Sequence, residues 1–293
     1  EAFCSFCVEG GRDWESGSTA LIATLINEHF IIANLGDARG IMGRSVVAQD
    51  ADEHEASGWH ALPLEDHDGS RRCLWKEVTE IHSPGNESER NRIHAANGWV
   101  TTEQEIPVGQ LKRLALDDDD VIDILQRCFA DREHPSQKAT APHRVVQINR
   151  VCGELAVSRA LGDLDFKASH STKRDSSRQT LRNDAGEHVW DSPQFFFNFP
   201  DGHSQCFVGD LVSNKPAFQS LRVGEDGVKE EFLLLACDGL WDVIDADDAY
   251  RVTRDLLFSK GWSAKEAAGR LAELAIHLGS SDNITIIVVR FFE

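Results

Sequence analysis

Basic residues, long apolar runs and paired cysteines are what this sequence has little of. Thirty Lys and Arg stand against forty-nine Asp and Glu, a formal charge of −19 over 293 residues. An acid excess of that size repels a phosphate backbone, which argues against nucleic acid as a partner. No stretch approaches the roughly 18 apolar residues of a membrane helix. The longest runs, such as Phe232–Ala236 and Ile284–Val289, are strand-sized, which excludes a helical membrane span. The seven cysteines are odd in number and scattered through apolar surroundings. They argue against a secreted disulfide scaffold and for a reducing, intracellular compartment, cytoplasmic or nuclear. Cys4 and Cys7 form one C-x-x-C, but no second pair or His doublet answers it at ligand spacing, so it reads as a chance pair. The single methionine is Met42 and the chain begins at Glu1, so residue 1 is not a translation start and no targeting signal can be judged.

What is present describes a globular chain. Apolar residues make up 41% and charged residues 27%, enough for one large core or two modest ones. Ser18–Ile26 reads as a strand, Asn27-Glu28-His29 as a turn and Phe30–Asn34 as the returning strand of a hairpin with a buried face. Gly36-Asp37 interrupts before Ala38–Met42 and Val46–Ala48, which predicts a meander of antiparallel strands. From Asp50 to about Arg90 the composition turns polar. Residues 101–148 carry four acids, Asp117–Asp120, then Val121, Leu125 and Phe129 at helical spacing, a surface insertion with one short helix. Residues 168–188 hold hardly an apolar anchor and cannot offset their ordering entropy, which predicts a mobile loop. Phe195, Phe196, Phe197 and Phe199 behind it require cover.

The C-terminal third is the most legible. Phe232–Ala236 is a buried strand that ends at Cys237-Asp238-Gly239, where Gly permits an abrupt turn. Asp245–Phe258 reads as a helix with Ala249, Val252, Leu256 and Leu257 on one side. Ser263 to Glu266 is a capping box that opens a second helix, carried by Ala267, Leu271, Leu274, Ala275 and Leu278 and stopped by Gly279. Ile284–Phe292 closes the chain as a strand. Strands first, helices late and a strand returning to the sheet predict antiparallel sheet with segregated helices, an α+β fold.

Two acids stand apart. Asp238 lies directly beyond a buried strand, and Asp282 lies in the turn leading into the last one. A carboxylate at a strand end is held by a rigid sheet yet reaches its open edge, as a hard divalent cation requires of oxygen ligands. Asp before Gly or Asn is also a common turn-former, and spacing leaves both readings open.

Longer strings add to this. Ser16-Gly17-Ser18-Thr19-Ala20, Ala33-Asn34-Leu35-Gly36-Asp37-Ala38-Arg39, Glu65-Asp66-His67, Glu89-Arg90-Asn91-Arg92-Ile93, Ala96-Asn97-Gly98-Trp99-Val100, Arg150–Asp163, Leu235–Val243 and Gly279–Thr285 occur in this order. Together they resemble the metal-dependent protein phosphatases, the type 2C serine/threonine phosphatases, over about residues 16–50, 62–100, 148–168 and 208–292.

The resemblance implies a four-layer α-β-β-α sandwich, two central antiparallel sheets flanked by helices. It implies one phosphatase-like domain over residues 1–293, lacking its N-terminal part, with insertions at about 101–148 and 168–207. The implied activity is hydrolysis of phosphoserine and phosphothreonine on proteins by a water held between two Mg²⁺ or Mn²⁺ ions, with a weaker third. Asp238 and Asp282 match metal ligands and carry the chemistry. Asp66 matches an acid that helps to hold the third ion together with Asp238, with Asp242 as an outer contributor. The implied partners are phosphorylated proteins, and the chain is expected as a monomer. Arg159 and Asp163 read as loop-fixing residues, Gly36-Asp37 as a strand bulge and Trp241 as core. Lys167, Lys173, Arg174, Arg178 and Arg182 form a basic cluster expected either to attract acidic substrates or to be a solvated loop.

The resemblance also implies an Asp-Gly-His-Gly-Gly string ahead of Ser16, and residues 1–15 do not contain it. Asp201-Gly202-His203 lies in the wrong order, after the Arg150–Asp163 string, and reads as a surface turn. Two functions follow as expectations: a phosphatase completed by sequence ahead of Glu1, or a catalytically inactive relative that keeps the fold as a binding or regulatory module.

Overall fold

The computed structural model describes residues 16–65, 70–105, 146–168, 181–183, 186–225 and 227–291. Cys4, Cys7, Asp66 and the helix expected at 121–129 lie outside the described residues. The chain divides into two compact units, residues 1–103 with 148–231, and residues 104–147 with 232–293.

In the first unit, β1 (Gly17–Ser18) is followed by β2 (Ala20–Ile26) and β3 (His29–Leu35). They form the expected hairpin, paired from Ala20↔Leu35 to Ile26↔His29, and Asn27 takes the left-handed conformation (φ 54°) that a tight turn requires. The expected buried face, however, belongs to β3 alone: Phe30, Ile32 and Leu35 are buried, whereas Ile22, Leu25 and Ile26 of β2 are exposed. The expected meander does not continue. β4 (Arg39–Val47) leaves this sheet and pairs with β6 (Arg71–Glu77), which pairs in turn with β5 (His60–Glu65). The far edge of β3 is taken by β13 (Ala217–Arg222), paired from Ala217↔Asn34 to Arg222↔His29. The change of sheet happens at Gly36, a bend between strands at φ 111° and not a bulge within one. Buried His82 locks it: the Gly36 amide donates to His82 Nδ1 (3.1 Å) and the His82 amide donates to the Gly36 carbonyl (2.9 Å). Burial pushes the His82 pKa down, and the neutral ring keeps the accepting nitrogen this bond requires.

The polar stretch after Asp50 holds α1 (Ala51–Ala56) and α2 (Glu87–Ala95). β7 (Val100–Glu105) and β8 (Val146–Val151) pair with each other and hold the two ends of the first insertion together. β9 (Leu161–Gly162) pairs with β1.

The segment expected as a mobile loop is ordered at its end. β10 (Leu181–Arg182), β11 (His188–Asp191) and β12 (Cys206–Val208) form a small antiparallel sheet. Its anchor lies outside the polar stretch, where Trp190 and Phe207 are buried against each other with ring centroids 5.0 Å apart. Of the four phenylalanines expected to need cover, Phe196 is buried against Phe166 and Phe207, whereas Phe197 is 75% exposed. Lys167 is no substrate-attracting surface cation. It is 1% exposed, and its ammonium donates to the carbonyls of Ala160 (2.8 Å) and Gly162.

In the second unit, β14 (Val228–Ala236) enters with Phe232–Ala236, which pair antiparallel with β15 (Ile286–Arg290) from Phe232↔Arg290 to Ala236↔Ile286. Between these strands lie α3 (Asp238–Trp241), α4 (Ala246–Arg254), a π-helical turn (Asp255–Ser259) and α5 (Ala264–His277). The apolar faces read from the spacing are met in large part. Ala249 in α4 and Leu256 and Leu257 in the π-helical turn behind it are buried, as are Ala267, Leu271 and Ala275 in α5, whereas Val252 and Leu274 are half-buried and Leu278, past the end of α5, is exposed. Tyr250 stacks on Phe232, ring centroids 5.4 Å apart. Ser263 and Glu266 close the predicted capping box on α5. Trp241 is core, its indole N–H donating to the Ala236 carbonyl at 2.9 Å.

Candidate metal centre

The pairing of β14 with β15 places the end of one strand beside the start of the other. Ala236 faces Ile286, so the residues just after β14 and those just before β15 leave the sheet at the same end. The Cys237 amide extends the ladder by one bond to the Thr285 carbonyl (3.2 Å). Asp238 then opens α3, and Asp282 projects from the turn ahead of β15. In each, Oδ1 accepts from the next residue's amide, Gly239 N–H at 2.9 Å and Asn283 N–H at 2.6 Å. Both acids therefore are turn-formers in part, and their carboxylates are fixed to the backbone.

Asp238 also feels the charge of Asp282. Burial pushes the Asp238 carboxyl above the ordinary carboxylate pKa, the charge of Asp282 pushes it further, and the Gly239 amide draws it back only in part. No cationic side chain among the described residues contributes to that balance. A half-buried carboxylate whose neighbour is a second carboxylate is a donor set that a hard dication relieves. Mg²⁺ is commonly held by one or two carboxylates, with water completing its shell, so the pair fits such an ion. Among the described residues no group of three or more His, Cys, Asp or Glu side chains gathers at ligand distance. Asp66 lies outside them, and exposed Asp242 follows one helical turn after Asp238, its amide donating to the Asp238 carbonyl at 2.9 Å.

The role of Gly239 differs from the one read in the sequence. Its φ is not in the left-handed region, so no abrupt turn demands it. What demands it is close approach: a Cβ at Gly239 would fall on the Asn283 carbonyl oxygen.

The remaining matched strings hold the first unit together. Glu89 is 2% exposed, and its carboxylate accepts from Arg159 (Nε 3.0 Å, Nη2 2.5 Å) and from Arg92 (Nη2 3.0 Å). Burial opposes the charge, but the Arg159 hydrogen bonds and the Arg92 charge outweigh it and bring the pKa down to about 2. Arg92 also donates to the Ser158 carbonyl and Arg159 to that of Lys215, so α2 is tied to two distant loops. Asp163, at φ 45°, lies against Gly17, where a Cβ would meet its carboxylate. Burial raises its pKa against the opposing charge of Lys167. His203 has both ring nitrogens occupied in a surface turn. Nδ1 accepts from the Gln205 amide (2.9 Å) and Nε2 donates to the Asn97 carbonyl (2.6 Å), so both are bonded to local backbone.

The sequence profile of the family described as Protein phosphatase 2C matches residues 8–113 and 139–284. Protein phosphatase 2C 57 of Arabidopsis thaliana is 27% identical over 279 residues, covering 95% of this chain and 50% of its own length. Protein phosphatase 1B of Homo sapiens is 29% identical over 173 residues, 57% of this chain and 28% of its own. The chain thus spans half or less of the length of these relatives. A crystal structure of serine-threonine phosphatase 2C from Toxoplasma gondii aligns over 98% of this chain and 62% of its own, with 19% identity and a TM-score of 0.48. With its profile matched over well more than half of its residues, and with the mixed antiparallel sheets and helices of an α+β fold, this chain belongs to the protein phosphatase 2C family.

Proposed function

We propose that the chain carries the catalytic fold of a protein phosphatase that hydrolyses phosphoserine and phosphothreonine on proteins with the help of Mg²⁺ or Mn²⁺. The observation that carries this reading is the convergence of the Asp238 and Asp282 turns at one end of the β14–β15 ladder. When bound, a pair of such ions supplies a water that ionises near neutral pH and positive charge against the phosphate. The chain's own task is to hold and orient. β14 and β15 fix the backbone on both sides of the acids, and the amides of Gly239 and Asn283 fix one oxygen of each carboxylate. Asp66 and Asp238 are the proposed ligands of a third, weaker ion, with Asp242 beyond them. We read residues 1–293 as one phosphatase domain, intracellular and monomeric, acting on phosphorylated proteins. Among the described residues no helix is long and apolar enough to cross a membrane.

The test is phosphate release from a phosphoserine peptide, measured with residues 1–293 and with the longest chain the gene encodes. Release is expected to depend on Mn²⁺ or Mg²⁺. Asp238→Asn should lower it by more than the roughly 10–100-fold typical of residues that only support a metal ligand. If both chains are inert across a range of Mn²⁺ concentrations, the reading gives way to an inactive binding or regulatory module.

A further inference from the structure

The two acid-bearing turns are joined by more than the sheet. On the N-terminal side of Asp238, the Cys237 thiol donates to the Asn283 carbonyl (Sγ to O 3.1 Å) while its sulfur accepts from the Thr285 amide (3.2 Å). On the C-terminal side, the Ser280 hydroxyl donates to the Gly239 carbonyl at 2.7 Å. The missing Cβ of Gly239 lets the Asn283 carbonyl come close. Each acid is therefore bracketed: residues 237 and 239 flank Asp238, and residues 280, 283 and 285, on either side of Asp282, supply their cross-turn partners. The β14–β15 ladder itself is made by backbone groups from Phe232↔Arg290 to Ala236↔Ile286, so the Cys237 thiol and the Ser280 hydroxyl add side-chain bonds beyond it.

We propose that Cys237 and Ser280 are positioning residues that clamp the Asp238 and Asp282 turns at the separation a shared divalent-ion site requires. This rests on the reading of the two acids as ion ligands. Two carboxylates that repel each other open their turns unless something else holds them, and side-chain bonds on both flanks do so before any ion arrives. A preset separation spares the ion the work of ordering its ligands, so the clamp acts on ion affinity more than on folding.

The experiment measures Mn²⁺ binding by calorimetry in the full chain, with far-UV circular dichroism and the melting temperature in EDTA as controls for folding. Cys237→Ala and Ser280→Ala are expected to weaken Mn²⁺ binding by about 10–100-fold, with the melting temperature in EDTA little changed. Cys237→Ser retains a donor and an acceptor at the same place and is expected to restore affinity. If both alanine variants bind Mn²⁺ as the wild type does while Asp238→Asn does not, the clamp is overturned and the site reading stands. If Asp238→Asn also binds as the wild type does, the site reading fails and takes the clamp with it. Should Cys237→Ala not fold, Ser280→Ala decides: unchanged affinity there overturns the proposal, and a loss supports it.

Discussion

Two carboxylates in this protein occupy opposite surroundings. Glu89, in the first unit, is 2% exposed and sits between the guanidinium groups of Arg92 and Arg159, which bring its pKa to about 2. Asp238, in the second unit, is partly buried beside Asp282, and both burial and that neighbour raise its pKa. One acid has its countercharge built into the chain. The other is set against a like charge, an arrangement that lowers stability unless a cation is supplied from outside. The acid that fastens the fold and the acid proposed to take an ion differ here in the sign of the neighbouring charge.

The largest effect is expected where the chain-supplied countercharge is broken. Glu89→Ala leaves two guanidinium groups facing a space they cannot neutralise, and removing one member of a buried ion pair costs about 3–5 kcal/mol. Urea unfolding should show this loss. Arg92 and Arg159 retain their backbone carbonyl partners, so a loss under about 1 kcal/mol, the scale of exposed pairs, would mean that Glu89 does not organise the cluster.

A smaller effect should appear where the countercharge is added. Mn²⁺ at 100 times its dissociation constant should stabilise the wild type by about 2.7 kcal/mol, read as a rise in melting temperature over the EDTA sample. Asp238→Asn should abolish that rise. In EDTA the same substitution should be neutral or stabilising by roughly 0.5–2 kcal/mol, because it removes the like-charge repulsion at the cost of function. A variant that loses stability in EDTA would show that Asp238 serves the fold, as Glu89 does.

Much of this contrast was legible in the sequence on one side and hidden on the other. Asp238 and Asp282 stand out because each adjoins a clear strand, Phe232–Ala236 and Ile286–Arg290, and antiparallel neighbours bring such ends together. The α4 and α5 helices were equally plain, since their apolar spacing and the Ser263 capping box are local signals. Glu89 gives no such signal. It sits in the first turn of a polar helix, and its main partner, Arg159, is 70 residues away. Long-range pairing also defeated the meander expected after Gly36, because β13 reaches β3 from the far side of the chain. The strand β10 was hidden in a polar segment whose anchor, the Trp190–Phe207 contact, lies outside it. Gly239 looks like a turn former in the sequence, which shows the missing side chain but not the carbonyl that occupies its place.

The subtlest way to sharpen the contrast is its dependence on pH, measured in EDTA. Glu89 has a folded pKa of about 2 against an ordinary 4.5. Its ionised form is the one favoured by folding, so its contribution is complete above about pH 4.5 and is lost as the pH falls toward about 2. Asp238 has a folded pKa above its ordinary 3.8. Folding favours its protonated form, so its contribution is complete below 3.8 and is lost as the pH rises through the raised value. His82 adds a third slope: burial depresses its pKa below 6.5, and its contribution is lost as the pH falls through that lowered value. Taking differences between variants cancels the His82 slope, which all of them share. The stability advantage of the wild type over Glu89→Gln should shrink as the pH falls from 4.5 toward 2, while its disadvantage against Asp238→Asn should grow as the pH rises from 4 toward 7. Two difference curves that run parallel would mean the acids share one kind of surroundings, and the distinction between a fastening acid and a ligand-awaiting acid would fail for this chain.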